Sequence, residues 1–282
     1  MRAVRRDPLT ARLWAFAVWA LVIFFLVNLI AMVATVAVNS FGTRWFGTWL
    51  PAGFTTRWYG SAWDEFQLGD VLFVTFEVVG AVVVLSGALG VPAAYALARR
   101  DFPGKRLITL LFLLPLLVPP ITFGIPLAAV LYRAGFAGSM SGVILANLVP
   151  AVPFVILVMI PFIEQVDPRI EAAARVFGAG TGRLFLYVLL PLLAPGMLAA
   201  LLLVLVRTIA SFELTFFTAG ADSQTLVVAL YYSVYAAGVR AGQSIDAMAV
   251  IYMVTTLVWL LVALCFVNPT QLVTRAKREP AR

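Results

Sequence analysis

Histidine is absent from the 282 residues and cysteine occurs once, as Cys265. These shortages exclude intrachain disulfides, zinc sites built on His or Cys, and nucleophilic catalysis that relies on an imidazole base. Charge is scarce too: 12% of residues are charged, 63% are hydrophobic, and mean hydropathy is +1.01. A soluble domain carries about 25% charged and about 45–50% apolar residues, so the composition is that of an integral membrane protein. No G-x-x-x-x-G-K-[ST] loop is present; Gly104-Lys105 lacks both the upstream glycine and the following hydroxyl, so the chain has no such nucleotide site. Nor do acids stand at metal-ligand spacing within an apolar run, so no catalytic residue, metal or cofactor is expected.

Six apolar runs reach the roughly 20 residues that a helix needs to cross the hydrocarbon core. They cover 13–38, 71–98, 107–132, 143–163, 192–219 and 247–267. A β-barrel would show alternating segments of about ten residues, whereas these Leu/Val/Ala blocks are continuous. The expectation is an all-α bundle of six transmembrane helices, one domain over 1–282. The first run is about twice as long as the 7–15 residues of a signal-peptide core and reads as an uncleaved helix. Cys265 falls in the last run and reads as a small packing residue.

The net charge is +7, and its distribution sets an orientation. Lysine and arginine favour the cytoplasmic side of short loops. Arg2, Arg5, Arg6 and Arg12 precede the first run; Arg99, Arg100, Lys105 and Arg106 follow the second; Arg169, Arg175 and Arg183 follow the fourth; Arg275, Lys277, Arg278 and Arg282 end the chain. The opposite side holds Arg44, Arg57, Arg133 and Arg240. Both termini are therefore expected in the cytoplasm, with 41–67 and 220–242 outside. Nucleic-acid binding needs a basic face on a soluble domain, and none exists.

This orientation puts the polar insert 164–191 in the cytoplasm. Asp167 suits an N-cap and Pro168 the first helical position. Ile170, Ala173 or Ala174, and Phe177 recur at helical spacing as one apolar stripe. Gly178 can end the helix in a left-handed conformation, and Thr181 can cap a second helix through Arg183 and Tyr187 to Leu190-Pro191. Docking to another protein and lying on the bilayer both fit such a segment.

Glu171-Ala172-Ala173-Ala174, Gly178, Val188 and Leu190-Pro191 resemble the EAA loop of the membrane subunits of binding-protein-dependent ABC importers of type I. Pro92-Ala93-Ala94-Tyr95-Ala96-Leu97-Ala98-Arg99-Arg100 with Phe102-Pro103-Gly104 is similar to the end of that family's second core helix and its turn. Leu113-Leu114-Pro115 and Pro119-Pro120 resemble the start of its next helix, and Val74-Thr75 takes the place of an Asn-Thr pair. The resemblance implies that Glu171, Ala172, Ala173, Ala174 and Gly178 couple the chain to a separate ABC ATPase dimer. Counted from Gly178, the family's glutamate position falls on Ala172 and Glu171 stands one residue early, which leaves open which residue makes the contact. It also implies a second permease subunit, a related heterodimer partner, an extracytoplasmic substrate-binding protein, and a place in the bacterial inner membrane.

Ionisable residues within spans are costly and tend to be functional. Glu77, Arg207 and Glu213 qualify. On one continuous helix, Arg207 and Ser211 would share a face, with Glu213 about 120° away. These four residues could line a path for a cation; equally, Arg207 could form a structural pair with a carboxylate. Ser211-Phe212-Glu213 through Thr218-Ala219-Gly220 and Gln224-Thr225-Leu226 resemble the spermidine/putrescine branch, with Glu213 in place of aspartate and Val227 in place of proline. That implies polyamine import; branches for iron(III), thiamine or aminophosphonates share much of the pattern. A secondary transporter would leave the cytoplasmic insert without a task and should show an inverted repeat, which is not visible.

The orientation is testable by cysteine labelling on a Cys265→Ser background. A membrane-impermeant maleimide should modify Asp222→Cys in intact cells and spare Arg175→Cys; modification of Arg175→Cys would overturn the topology.

Overall fold

The structure is a computed structural model and describes residues 8–45, 47–235 and 241–266. Arg2, Arg5, Arg6, Arg240, Arg275, Lys277, Arg278 and Arg282 lie outside the described residues. Among those described, regular structure is helical, with one isolated antiparallel bridge between Gly42 and Phe54. In chain order the helices are α1 (Pro8–Phe41), α2 (Arg57–Glu65), α3 (Leu68–Arg99), α4 (Lys105–Leu117), α5 (Pro120–Arg133) and α6 (Met140–Glu164). Then come α7 (Pro168–Val176), α8 (Thr181–Arg183), a π-helical stretch (Leu184–Leu189), α9 (Leu190–Ile209), α10 (Glu213–Thr218), α11 (Leu226–Tyr235) and α12 (Gly242–Phe266). The all-α expectation holds.

Among the described residues five helical stretches are long and apolar enough to cross a membrane: Arg12–Phe41, Leu68–Arg99, Met140–Glu164, Thr181–Ile209 and Gly242–Val262. The pair α4 and α5 is bent by 104° and makes a sixth if it counts as one span. The expected continuous helix over 107–132 is therefore broken. Pro119-Pro120 explains it: neither residue has an N–H to donate, and a residue before proline is driven out of the helical region. Val118 and Pro119 are both extended (ψ 131° and 135°). Pro92, Pro115, Pro126, Pro150 and Pro153 sit inside helices without ending them.

The expected fifth helix over 192–219 also needs correction. Helix starts earlier, at Thr181, and ends at Ile209; Ala210–Phe212 is non-helical, and α10 begins at Glu213. The Thr208 hydroxyl bonds back to the Val204 carbonyl (2.8 Å) and the Ser211 N–H reaches Thr208 O (3.1 Å), a tightened final turn. The interruption is invisible to hydropathy because the residues on both sides of it are apolar.

Contacts divide the chain into two units, Met1–Glu65 with Ala237–Ile251, and Phe66–Ala236 with Tyr252–Arg282. In the first, the loop after α1 folds back: the Trp58 Nε1–H donates to Gly42 O (2.7 Å), the Ser40 and Tyr59 hydroxyls bond at 2.8 Å, and Phe41 packs on Tyr59. The Asn39 amide donates to the Asp246 carboxylate. Most of α1 is exposed, which suits a helix whose solvent is lipid.

The second unit is built on α3, α6 and α9. Val78, Val82, Val91 and Ala94 of α3 pack with Val155, Ile156 and Met159 of α6 and with Leu193, Ala200 and Val204 of α9 in one buried cluster. Small residues let helices approach closely where lipid supplies no hydrophobic drive for association. Gly90 shows this directly: a Cβ there would stand 2.8 Å from Val155 Cβ.

Gly80 lies on the same helix with nothing within 4 Å of an added Cβ. Gly90→Leu should cost about 1–3 kcal/mol through overpacking and lower the melting temperature of the detergent-purified protein, while Gly80→Leu should leave it nearly unchanged. Equal effects would refute close packing at Gly90.

Candidate functional site

The insert folds as its local chemistry directs. The Asp167 carboxylate accepts from the Arg169 N–H (2.9 Å) and Pro168 opens α7. At the other end Gly178 adopts φ +82°; its N–H reaches Arg175 O and the Ala179 N–H reaches Ala174 O, each at 3.0 Å. That is a Schellman closure, which needs a left-handed residue. The expected cap at Thr181 is displaced: Gly180 holds the cap position with no side-chain bond, and Thr181 is the first helical residue.

Of the residues placed at the coupling site, Glu171 turns inward. It is 7% exposed and its carboxylate is fully engaged. Oε1 accepts from Arg99 Nε at 2.8 Å and Oε2 from the Tyr95 hydroxyl at 2.6 Å. Arg99 also donates to the Val166 carbonyl. Tyr95 and Arg99 are four apart on α3 and therefore share a face, so the last turn of α3 grips both the start of α7 and the residue before its cap. The Tyr–Arg spacing within the Tyr95–Arg99 motif was the one sequence signal that could have located this clamp.

Ala172 and Ala173 are exposed, Ala174 is half-buried against the core, and Gly178 is exposed. An added Cβ at Gly178 would meet nothing within 4 Å, so within the chain only its φ constrains that position. The apolar stripe is left uncovered: Ile170 and Ala173 are exposed, Val176 is 84% exposed and Phe177 91%.

The four pathway candidates do not converge on one helix face. Glu77 is exposed on α3, and Arg207 is exposed on α9 with its guanidinium 6.0 Å from the Phe154 ring centre. Ser211 sits in the break and Glu213, half-buried, opens α10. The face shared by Arg207 and Ser211 is thus lost with the helix that would have carried it. Among the described residues the ion pairs are Arg99–Glu171 and Lys105–Asp101; the structural pair between Arg207 and a carboxylate is not formed.

The break gathers aromatic rings instead. Phe212 lies 4.8 Å from Tyr231 and 5.1 Å from Phe216, Phe216 lies 5.3 Å from Tyr231, and Tyr231 lies 4.5 Å from Tyr235. Leu214, Thr215 and Thr218 are buried on the other side of α10, and the Asn147 amide reaches Thr215 Oγ1 (3.3 Å). Thr75 holds α11 by accepting the Leu226 N–H at 2.9 Å. The rings come from segments about twenty residues apart, so no spacing rule announces them.

Residues 87–273 match the family described as "Binding-protein-dependent transport system inner membrane component". The molybdenum transport system permease protein ModB of Haemophilus influenzae is 33% identical over 174 residues, which cover 56% of this chain and 76% of that one. The diacetylchitobiose uptake system permease protein NgcG of Streptomyces coelicolor is 34% identical over 141 residues, about half of each chain (50% and 47%). A solved bacterial ABC transporter involved in the import of the acidic polysaccharide alginate shares the fold, with a TM-score of 0.75 at 17% identity over 92% of this chain and 98% of that one.

The clamp makes a quantitative prediction. Glu171→Ala strands the Arg99 guanidinium, whose side chain is 15% exposed, and should cost about 2–3 kcal/mol. Replacing both partners, Arg99→Met with Glu171→Leu, should recover most of the loss in melting temperature. An additive double variant would deny the interaction.

Proposed function

Since the chain belongs to the inner-membrane components of binding-protein-dependent transport systems, it is a multi-pass transport subunit and not an enzyme, and we propose that it forms half of the translocation pathway of an ATP-driven importer. ATP is hydrolysed by a separate ATPase dimer that seats on α7. A second, related permease subunit completes the pathway, and an extracytoplasmic binding protein delivers the solute. Both termini and α7 lie on the cytoplasmic side of the inner membrane.

One observation carries this reading: α7 presents Ile170, Ala173, Val176 and Phe177 outward while its other face is clamped to α3. An uncovered apolar stripe on a short, rigidly held helix suits a partner groove. Displacement of α7 by such a partner passes directly into α3 through Glu171, a rigid-element coupling.

For the solute we favour an organic cation of the polyamine type. Glu213 is half-buried at a helix break, makes no ion pair among the described residues, and stands beside a cluster of aromatic rings. A carboxylate forms charge-assisted hydrogen bonds with ammonium groups, and ring faces attract cations by about 0.5–2 kcal/mol each. The same rings support a second reading, a sugar packed on an aromatic face, in line with the name of the diacetylchitobiose relative. An oxyanion, as in the name of the molybdenum relative, would be repelled by Glu213.

Both levels can be tested with the complete importer in proteoliposomes. Phe177→Asp should abolish ATPase association while membrane level and melting temperature stay normal; unaltered association would remove the docking role of α7. Glu213→Gln should lower spermidine or putrescine uptake at least tenfold without changing ATPase binding. Sugar uptake that survives Glu213→Gln and is lost in Tyr231→Ala would select the second reading.

A further inference from the structure

A cavity of about 470 Å³ opens beside the clamp, between the last turns of α3 and the stretch that runs from α8 through the π-helical turns. Its volume lies within the roughly 300–1,000 Å³ range of small-molecule sites. Both walls grade from polar to apolar in the same direction. On one side the lining passes from Arg100, the extended residue that follows α3, through Ala96 and Tyr95 to Pro92; opposite, it passes from Thr181 and Gly182 to Phe185 and Leu189. From Pro92 to Arg99 the helix runs for about 10 Å, and Arg100 follows as one extended step. Arg100 is exposed and makes no ion pair among the described residues, whereas its neighbour Arg99 is consumed by Glu171.

The π-helical stretch Leu184–Leu189 supplies Leu184, Phe185 and Leu189 to this wall. Widened turns of this kind are rare and are frequently found at functional sites. Tyr95 belongs to the cavity and to the clamp at once: its ring meets Phe185 edge-on at 6.1 Å while its hydroxyl donates to Glu171.

We propose that this cavity binds an anionic phospholipid from the adjoining leaflet, with the headgroup phosphate on Arg100 and acyl chain along Ala96, Pro92, Phe185 and Leu189. Arg100 provides the charge that the headgroup complements, and basic pockets between membrane helices are suited to anionic headgroups. The bound chain presses on the Tyr95–Phe185 wall and thereby steadies the bond from Tyr95 to Glu171, so lipid occupancy sets how firmly α7 is held. This regulatory consequence rests on the importer reading; the binding itself requires only that α3 and Thr181–Ile209 span the membrane.

Native mass spectrometry of the full chain, purified in detergent and supplied with phosphatidylglycerol or phosphatidylcholine, tests it without reference to transport. Phosphatidylglycerol should be retained in preference and raise the melting temperature. Arg100→Gln should weaken that preference about fivefold, the contribution of one basic residue near a headgroup. Ala96→Trp, which fills the cavity, should remove retention of both lipids at this site. Equal retention of the two lipids, or retention unchanged by Arg100→Gln, overturns the proposal. A melting-temperature rise reproduced by inorganic phosphate alone would show an anion site and refute the lipid. None of these results bears on whether Phe177→Asp releases the ATPase, so loss of the lipid site and loss of the importer reading are told apart.

Discussion

The bond between Glu171 and the end of α3 fixes where the polar insert sits. A nine-residue helix such as α7 is too short to be stable alone in water. Its position is decided by its N-cap, its left-handed closure at Gly178 and, above all, one carboxylate that accepts from both Tyr95 and Arg99. The pair is shielded from water on both sides. A shielded pair adds little net stability, yet losing one partner is costly. Such an interaction defines geometry: it holds α7 against the end of α3.

This division of labour also explains the odd register of the acidic residue. The glutamate that lies one position early is the one that faces α3, while the position that follows, Ala172, is exposed. A carboxylate at Ala172 would point away from the bundle. The outward face of α7 is consequently apolar and small, with Val176 and Phe177 at its end. Covering such a stripe is worth about 25 cal/mol per Å² of apolar area, while the carboxylate of Glu171 serves the internal link to α3.

At the other end of the second unit the same economy of polar groups holds. The break after Ile209 frees backbone groups in an apolar setting, where an unpaired group costs several kcal/mol. At the break itself the Ala210 N–H reaches Val206 O and the Ser211 N–H reaches Thr208 O; further along the segment Thr75 accepts the Leu226 N–H, and Ser223 accepts the Gly220 N–H and donates to Gly138 O. Non-helical backbone at membrane depth is tolerated where protein covers it or it lines a cavity.

Composition and periodicity alone determined the class of molecule, the number of apolar runs and the local design of the insert. Asp167, Pro168 and Gly178 act through neighbouring backbone, so their roles could be read directly from order along the chain, and the stripe from Ile170 to Phe177 follows from helical spacing. Hydropathy could not show that 107–132 and 192–219 are interrupted, because apolar residues continue through a break as readily as through a helix. The face assigned to Arg207 and Ser211 failed for that reason. Tertiary structure alone decided that Glu171 turns inward to Tyr95 and Arg99, more than seventy residues away along the chain, that Phe212, Phe216 and Tyr231 form one cluster, and that a cavity remains beside Tyr95. Each depends on which helices lie side by side, and that is set by packing such as Gly90 against Val155, a contact between distant segments that no local pattern encodes.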